Sequence, residues 1–166
     1  MARSVGTAWI SKQIVREMLI EAERVTPLET GGVLMGYWTQ APDEVVITWA
    51  SGPGPRALHR KYRFVPDADY HDTVVAHHYE ASGRLHAYLG DWHTHPKSSP
   101  RLSWQDWRTL SRISRHEAAR VATPIMAIAA GGPVWDMAVW RTPRLRLRPL
   151  VVEFSPVALR TVLYDE

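Results

Sequence analysis

The sequence predicts an α+β fold, a mixed α/β sandwich in which helices flank one central, mostly antiparallel sheet. Three observations carry this expectation. Segments with apolar residues at helical spacing are separated by groups of short strand-like runs. Several of those runs are joined by turn-forming residues over hairpin-length gaps. No internal repeat, low-complexity tract or linker divides the chain. Its 166 residues suffice for one core and not comfortably for two, so a single domain over residues 1–166 is expected.

The elements follow in order. From Ile10 to Val25, Ile14, Met18, Leu19 and Ala22 recur at helical spacing, Ser11 is placed to cap, and Thr26-Pro27 closes the helix. Glu29 to Tyr37, "ETGGVLMGY", and Glu44 to Ala50, "EVVITWA", read as strands joined by a turn around Ala41-Pro42-Asp43. Ser51 to Asp67 opens with alternating Gly and Pro and reads as a long surface loop ending in a short strand, with Arg56, His59, Arg60 and Lys61 grouped on it. A helix from Ala68 to Ala81 stops at Ser82-Gly83. His86 to His95 is a strand. Ser103 to Val121 is a helix with Trp107, Leu110, Ile113 and Ala118 facing the core, and "PIMAIAAG", "VWDMAVWR" and "LRLRPLVVEF" supply the last strands.

Composition removes several classes of function. The chain has no cysteine, which excludes disulfides, thiolate nucleophiles and thiolate zinc knuckles, so any metal must be held by His, Asp or Glu. No apolar run reaches the roughly 20 residues of a membrane span, and the first residues lack the apolar segment of a secretory signal, so the expectation is a cytoplasmic protein without membrane contact. A net charge of +3, from 20 Lys and Arg against 17 Asp and Glu, is too mild and too dispersed to make nucleic acid the expected partner. The Leu/Arg alternation of "RTPRLRLRP", Arg141 to Pro149, reads more simply as an edge strand with one charged face.

The chemistry concentrates in "DWHTHPKSSPRLSWQD", Asp91 to Asp106. Residues i and i+2 of a strand share a face, so His93 and His95 project side by side, a geometry suited to gripping one ion. Pro96 ends the strand and leaves the pair near an edge. Asp106, from the start of the following helix, can add a third ligand and offset part of the ion's charge. "SWQD", Ser103 to Asp106, is equally a helix capping box, and the two roles are compatible because a first helical turn is a rigid base for a ligand. Glu29 is either a proton carrier beside such an ion or an exposed strand-edge carboxylate; Gly31 and Gly32 after it allow close backbone approach or a bend. Of the eight tryptophans, most are expected in the core, with Trp104 open to a role in lining a groove. His59, His71, His77, His78, His86 and His116 read as surface or satisfied polar residues; His77 and His78 point to different sides of a helix.

Taken together, "LETGGVLMG", "YLGDWHTHP", a six-residue gap and "SWQD" resemble the JAMM signature of the JAB1/MPN/Mov34 metalloenzymes, Glu … His-Ser/Thr-His-Pro-x6-Ser-x2-Asp, across residues 8 to 140. The resemblance implies an MPN/JAB (cytidine-deaminase-like) fold and a single catalytic Zn2+ on His93, His95 and Asp106 with one position open to water. It implies Glu29 as general base and then acid, and Ser103 as donor to the developing oxyanion. The implied reaction is hydrolysis of an amide or isopeptide bond at the C-terminal tail of a ubiquitin-like protein or a conjugated protein. The short form and "YLGDWHTHP" are similar to bacterial stand-alone JAB proteins encoded beside E1- and E2-like enzymes. Among these is the deconjugating peptidase of CBASS anti-phage operons, which acts on the tail of a cyclic-nucleotide synthase. Release of an amino acid from a sulfur-carrier protein and a non-catalytic MPN scaffold are the alternatives within the family. The loop from Ser51 to Lys61 occupies the place of a substrate-contacting insertion, which makes Arg56, Arg60 and Lys61, with Trp104, the substrate-binding candidates.

Overall fold

The computed structural model describes residues 6–41, 43–143 and 156–165. Strand β1 (Thr7–Ser11) runs straight into helix α1 (Lys12–Val25). The helix therefore starts two residues later than its apolar spacing suggests, because Ile10 is paired with Ile47 and Leu163 on neighbouring strands. Ser11 is the N-cap, its hydroxyl oxygen accepting from the Ile14 amide at 3.2 Å. Ile14, Met18 and Ala22 form the buried stripe, while Leu19 lies at its margin.

Strands β2 (Gly31–Trp38) and β3 (Glu44–Ala50) form the expected antiparallel pair. The segment after them is more ordered than an open loop, folding as the hairpin of β4 (Leu58–Arg60) and β5 (Arg63–Val65). Its base is tied by Arg56, whose backbone amide donates to Asp67 at 3.0 Å and whose guanidinium reaches Asp67 at 3.1 Å and Asp69 at 2.6 Å. Asp67 then caps α2 (Ala68–Ala81) by accepting from the Tyr70 amide.

Strand β6 (Ala87–Pro96) leads to α3 (Trp104–Arg115), then β7 (Ile125–Gly131), β8 (Trp135–Arg141) and β9 (Val157–Tyr164). Helix α3 ends earlier than expected. His116 is extended, a single 3-10 turn covers Glu117–Ala119, and Arg120 is left-handed, so Ala118 is exposed while Leu110 is fully buried. The expected strand from Leu145 to Phe154 lies outside the described residues; β9 was not expected, because its burial alternates too weakly to announce a strand.

The strand order β1-β3-β2-β6-β7-β8-β9 closes through a parallel β1–β9 pair. Of the barrel's seven pairings among the described residues four are antiparallel and three, β1–β3, β1–β9 and β6–β7, are parallel. The expected central sheet is therefore present but curled into a barrel, and β6 lies in its middle rather than at an edge. Ile14 and Met18 of α1 belong to one buried cluster with residues from every barrel strand, among them Ile10, Leu34, Ile47, Leu89, Trp92, Ile125, Val139 and Leu159. Leu110 of α3 packs on the other face of β7 with Met126 and Ile128. Of the tryptophans only Trp92 is fully buried, its indole N–H donating to the Ser51 carbonyl at 2.9 Å. The others are half-buried except Trp104, so the expectation that most are core residues is corrected. Barrel strands β1, β2, β3 and β8 and helix α3 hold them, at positions where a large ring covers apolar surface without being enclosed.

One irregularity of β6 positions the site. The register with β2 pairs Leu34 with Gly90 and Met35 with Tyr88, which leaves Leu89 as an extra, unpaired residue. The bulge switches the alternation, so Leu89 and Trp92, three apart, both enter the core. Asp91 and His93 accordingly face outward. Gly90 makes this possible with φ 147°, in the region favouring glycine, and a Cβ there would collide with the Ile125 carbonyl on β7. Gly90→Ala is expected to lower the unfolding free energy by at least about 2 kcal/mol. Urea denaturation checks this, and a variant within about 0.5 kcal/mol of wild type would show that the bulge does not need glycine.

Candidate metal centre

The outward face of β6 meets the first turn of α3. His93 Nε2 and His95 Nε2 are 3.0 Å apart, His93 Nε2 lies 3.0 Å from Asp106 Oδ1, and His95 Nε2 lies 3.3 Å from Asp106 Oδ2. Ligand atoms held at about 2.0–2.1 Å in a tetrahedral set are roughly 3.3 Å from one another. The three side chains thus fit a single small divalent ion without rearrangement, and among the described residues they are the one His/Asp/Glu group of this kind.

His95 and Asp106 are each aimed by a neighbour outside the group. The Ser99 carbonyl can only accept, so His95 Nδ1 is its donor at 3.3 Å, which turns Nε2 toward Asp106 and, in the neutral ring, would leave the Nε2 lone pair for an ion. Asp106 and Ser103 form a reciprocal capping box: the Ser103 amide donates to Asp106 Oδ2 at 2.7 Å, and the Asp106 amide donates to Ser103 Oγ at 3.2 Å. Capping therefore does not stand in the way of ligation. Burial pushes the Asp106 carboxyl up, but hydrogen bonds from His93 and His95, the His93 charge and the Ser103 hydroxyl outweigh it and hold the carboxyl well below the usual carboxylate range. Burial lowers His95, yet the Asp106 hydrogen bond and charge, then the Ser99 carbonyl and Glu29, leave it raised.

Glu29 precedes β2 and is half-buried beside the group. Burial pushes its carboxyl up, the charges of His93 and His95 pull it back, and Asp106 raises it again, with a net upward shift. Its peptide is held from both directions. The Glu29 amide donates to the Arg60 carbonyl at 2.9 Å, and the Glu29 carbonyl lies 3.0 Å from His59 Nδ1, which must be the donor. Next to it, Thr30 and Thr94 are tied twice, Thr30 N to Thr94 Oγ1 at 3.0 Å and Thr94 N to the Thr30 carbonyl at 2.9 Å. Gly31 allows this closeness, since a Cβ there would strike the Trp92 carbonyl.

A groove of about 1120 Å³ opens from Glu29, His93 and Asp106 and runs along α3. Trp104, 72% exposed, lines it as the sequence allowed. Ser103 stands at its rim, outside the lining residues. Arg56, Arg60 and Lys61 are not part of the lining: Arg56 is paired with Asp67 and Asp69, and Lys61 lies over the Tyr62 ring at 5.1 Å. The hairpin that carries them buttresses Glu29 instead. The basic residues of the groove are Arg63, Arg108, Arg112 and Arg115. Sequence reasoning missed them, although the spacing of the last three along one helix was legible. Asp91 was missed as well: it lines the groove beneath His93, accepts from Tyr88 Oη at 2.7 Å, and is pushed up by burial against that hydrogen bond. Of the remaining histidines, His71 bonds the Gly52 carbonyl, His78 stacks on Trp49 and contacts His86, and His77 and His116 are exposed, in keeping with their reading as surface or satisfied residues.

No helix among the described residues is long and apolar enough to cross a membrane. In fold, the chain is similar to protein DSY2949 from Desulfitobacterium hafniense, whose solution structure it matches with a TM-score of 0.69 at 17% identity over 96% of this chain and 94% of that one. In sequence it is 41% identical to a probable metalloprotease, y4qB, of Sinorhizobium fredii over 93% of this chain and 94% of that protein. It is also 26% identical to a CD-NTase/cGAS isopeptidase of Enterobacter hormaechei over 88% of this chain and 83% of that protein. A model of the prokaryotic homologs of the JAB domain matches residues 11–143, which contain every residue of the His-Asp group and Glu29. With a barrel that aims two histidines and an aspartate at one point, and with relatives of this kind over nearly its whole length, the chain belongs to the family of prokaryotic JAB-domain homologs.

Proposed function

We propose that this chain is a zinc-dependent isopeptidase that hydrolyses the amide or isopeptide bond at the C-terminal tail of a ubiquitin-like modifier or of a conjugated cyclic-nucleotide synthase. The observation that carries the reading is the convergence of His93, His95 and Asp106 next to a half-buried Glu29 at the head of an open groove. The metalloprotease and isopeptidase names of its relatives support the reaction class, and the CD-NTase/cGAS in the isopeptidase names supports the second substrate; a setting in anti-phage defence beside E1- and E2-like enzymes is part of the proposal. A scaffold that only bound partners would have no physical use for this complete ligand set.

Held by His93, His95 and Asp106, zinc supplies Lewis acidity toward the scissile carbonyl and the attacking water. Glu29 takes a proton from that water as its oxygen adds to the carbonyl carbon, and its raised affinity for protons suits it to return the proton to the amine nitrogen as the C–N bond breaks. Ser103 at the rim donates its hydroxyl hydrogen to the carbonyl oxygen as charge develops there, a contribution typically worth about 3 kcal/mol. The products are a free carboxylate and a free amine, with no acyl-enzyme.

The test uses a cyclic-nucleotide synthase with a reporter protein joined to its C-terminus through an amide, and in parallel a ubiquitin-like protein joined to a lysine side chain. Zinc-loaded protein should release the reporter from at least one of them, chelation by phenanthroline should stop it, and one equivalent of zinc should restore it. A zinc-loaded protein that leaves both conjugates whole, or cleavage indifferent to chelation, would overturn the assignment. His59→Ala should lower kcat about tenfold with zinc content unchanged, because it frees the Glu29 carbonyl and loosens the peptide that aims the carboxylate. An unchanged kcat would remove His59 from positioning.

A further inference from the structure

We infer that the arginine-lined arm of the groove binds acidic side chains of the polypeptide being cleaved, within about four residues of the scissile bond. The inference rests on the amide-hydrolase reading of the metal centre and names the substrate chemistry that reading leaves open. Helix α3 presents Trp104, Arg108, Arg112 and Arg115 to the groove while Leu110 is buried on the opposite side. Arg63 of β5 faces them from the other wall. The helix rises about 1.5 Å per residue, so Arg108 to Arg115 lie roughly 3–14 Å along its axis from Asp106, the span of about four residues of extended chain.

These guanidinium groups are exposed and lack carboxylate partners. Among the described residues Arg24, Arg56, Arg84 and Arg141 form ion pairs; of the arginines that do not, Arg63, Arg108, Arg112 and Arg115 are the four that line this one groove. Arg115 bonds only Ser111 of its own helix, and the field of Arg112 reaches Asp91 without a contact. A run of like charges along one wall of a groove is repulsive until something anionic lies between its members, and arginine forks suit carboxylates in particular. The apolar stretch between the walls, from Phe64 to Pro66 against Trp104 and Trp107, gives an extended chain a surface to lie on. An acidic peptide segment satisfies both features, with its carboxylates on the arginines and its backbone over the rings. A basic or neutral tail satisfies one.

The experiment measures binding separately from cleavage. Zinc-loaded protein carrying Glu29→Gln is titrated against a fluorescein-labelled decapeptide containing four Asp and Glu residues, and against the same peptide with Asn and Gln, by fluorescence anisotropy. The acidic peptide should bind at least about tenfold tighter at low salt, and the difference should shrink as salt is raised. Arg108→Glu with Arg112→Glu should abolish the preference and leave the neutral peptide unaffected. Arg63→Glu, on a separate element, should do the same if the helix variant fails to fold, and Arg108→Lys should keep most of the preference. Equal affinity for the two peptides, or an undiminished preference in both charge-reversed variants, would overturn the inference. So would an oligothymidylate that displaces the acidic peptide at lower concentration, which would assign the groove to nucleic acid. Wild-type protein that binds the acidic peptide but cleaves no conjugate would overturn the hydrolase reading alone; one that cleaves without the preference would overturn this inference alone.

Discussion

Glu29→Gln is expected to reduce turnover of an amide-linked conjugate by at least about 100-fold while leaving one equivalent of zinc bound and the melting temperature within a few degrees of wild type. Glutamine has the same shape and can sit in the same half-buried position, and the backbone bonds from His59 and to Arg60 that fix residue 29 do not involve its side chain. What it cannot do is accept a proton from water and give it back. The carboxyl lies within reach of the charges of both histidines but does not join the His-Asp cluster, so its loss should leave metal affinity nearly unchanged. The measurement pairs initial rates with zinc content by atomic absorption. Turnover retained at the wild-type rate would remove Glu29 from the proton path, and loss of zinc would recast it as a ligand.

Asp106 carries two loads, and two substitutions separate them. Asp106→Ala removes both the carboxylate that faces His93 and His95 and the arm of the capping box that accepts from the Ser103 amide. It should lose zinc, lower activity at least about 100-fold, and cost about 1 kcal/mol of stability for the lost cap. Asp106→Asn keeps an oxygen able to accept from Ser103 and should therefore keep the cap. It lacks the negative charge that offsets a divalent ion and should still lose zinc. The expected pattern is two metal-poor, inactive proteins, of which only the alanine variant melts earlier when all are compared metal-free. Zinc remaining at one equivalent in both would show that the carboxylate is not a ligand.

Much of the site was legible because its residues are close in sequence and obey local periodicities. His93 and His95 share a strand face, Ser103 caps α3, and Asp106 falls at the third position of its first turn; each is a relation within a few residues. Helices α1 and α2 and the β2–β3 pair were legible for the same reason. The strand near the C-terminus was not: β9 gains its place from parallel pairing with β1, some 150 residues away, and nothing local encodes that partner. The hairpin after Ser51 was hidden because its stability comes from Arg56 on Asp67 and from its grip on Glu29, contacts that a reading by composition takes for a loop.

By itself the sequence determined which side chains could form a metal centre, which elements would carry them, and that no thiolate could take part. Only the tertiary structure decided where they face. Strict alternation along β6 would place Leu89, Asp91 and His93 on one face, leaving either the leucine or the two polar residues in the wrong medium; the bulge at Leu89 and Gly90 sends the leucine inward and the acid and imidazole outward. That choice depends on Gly90 lying against the Ile125 carbonyl of a strand 35 residues further on, a close approach that only a residue without a Cβ permits and that exists only once the two strands are paired.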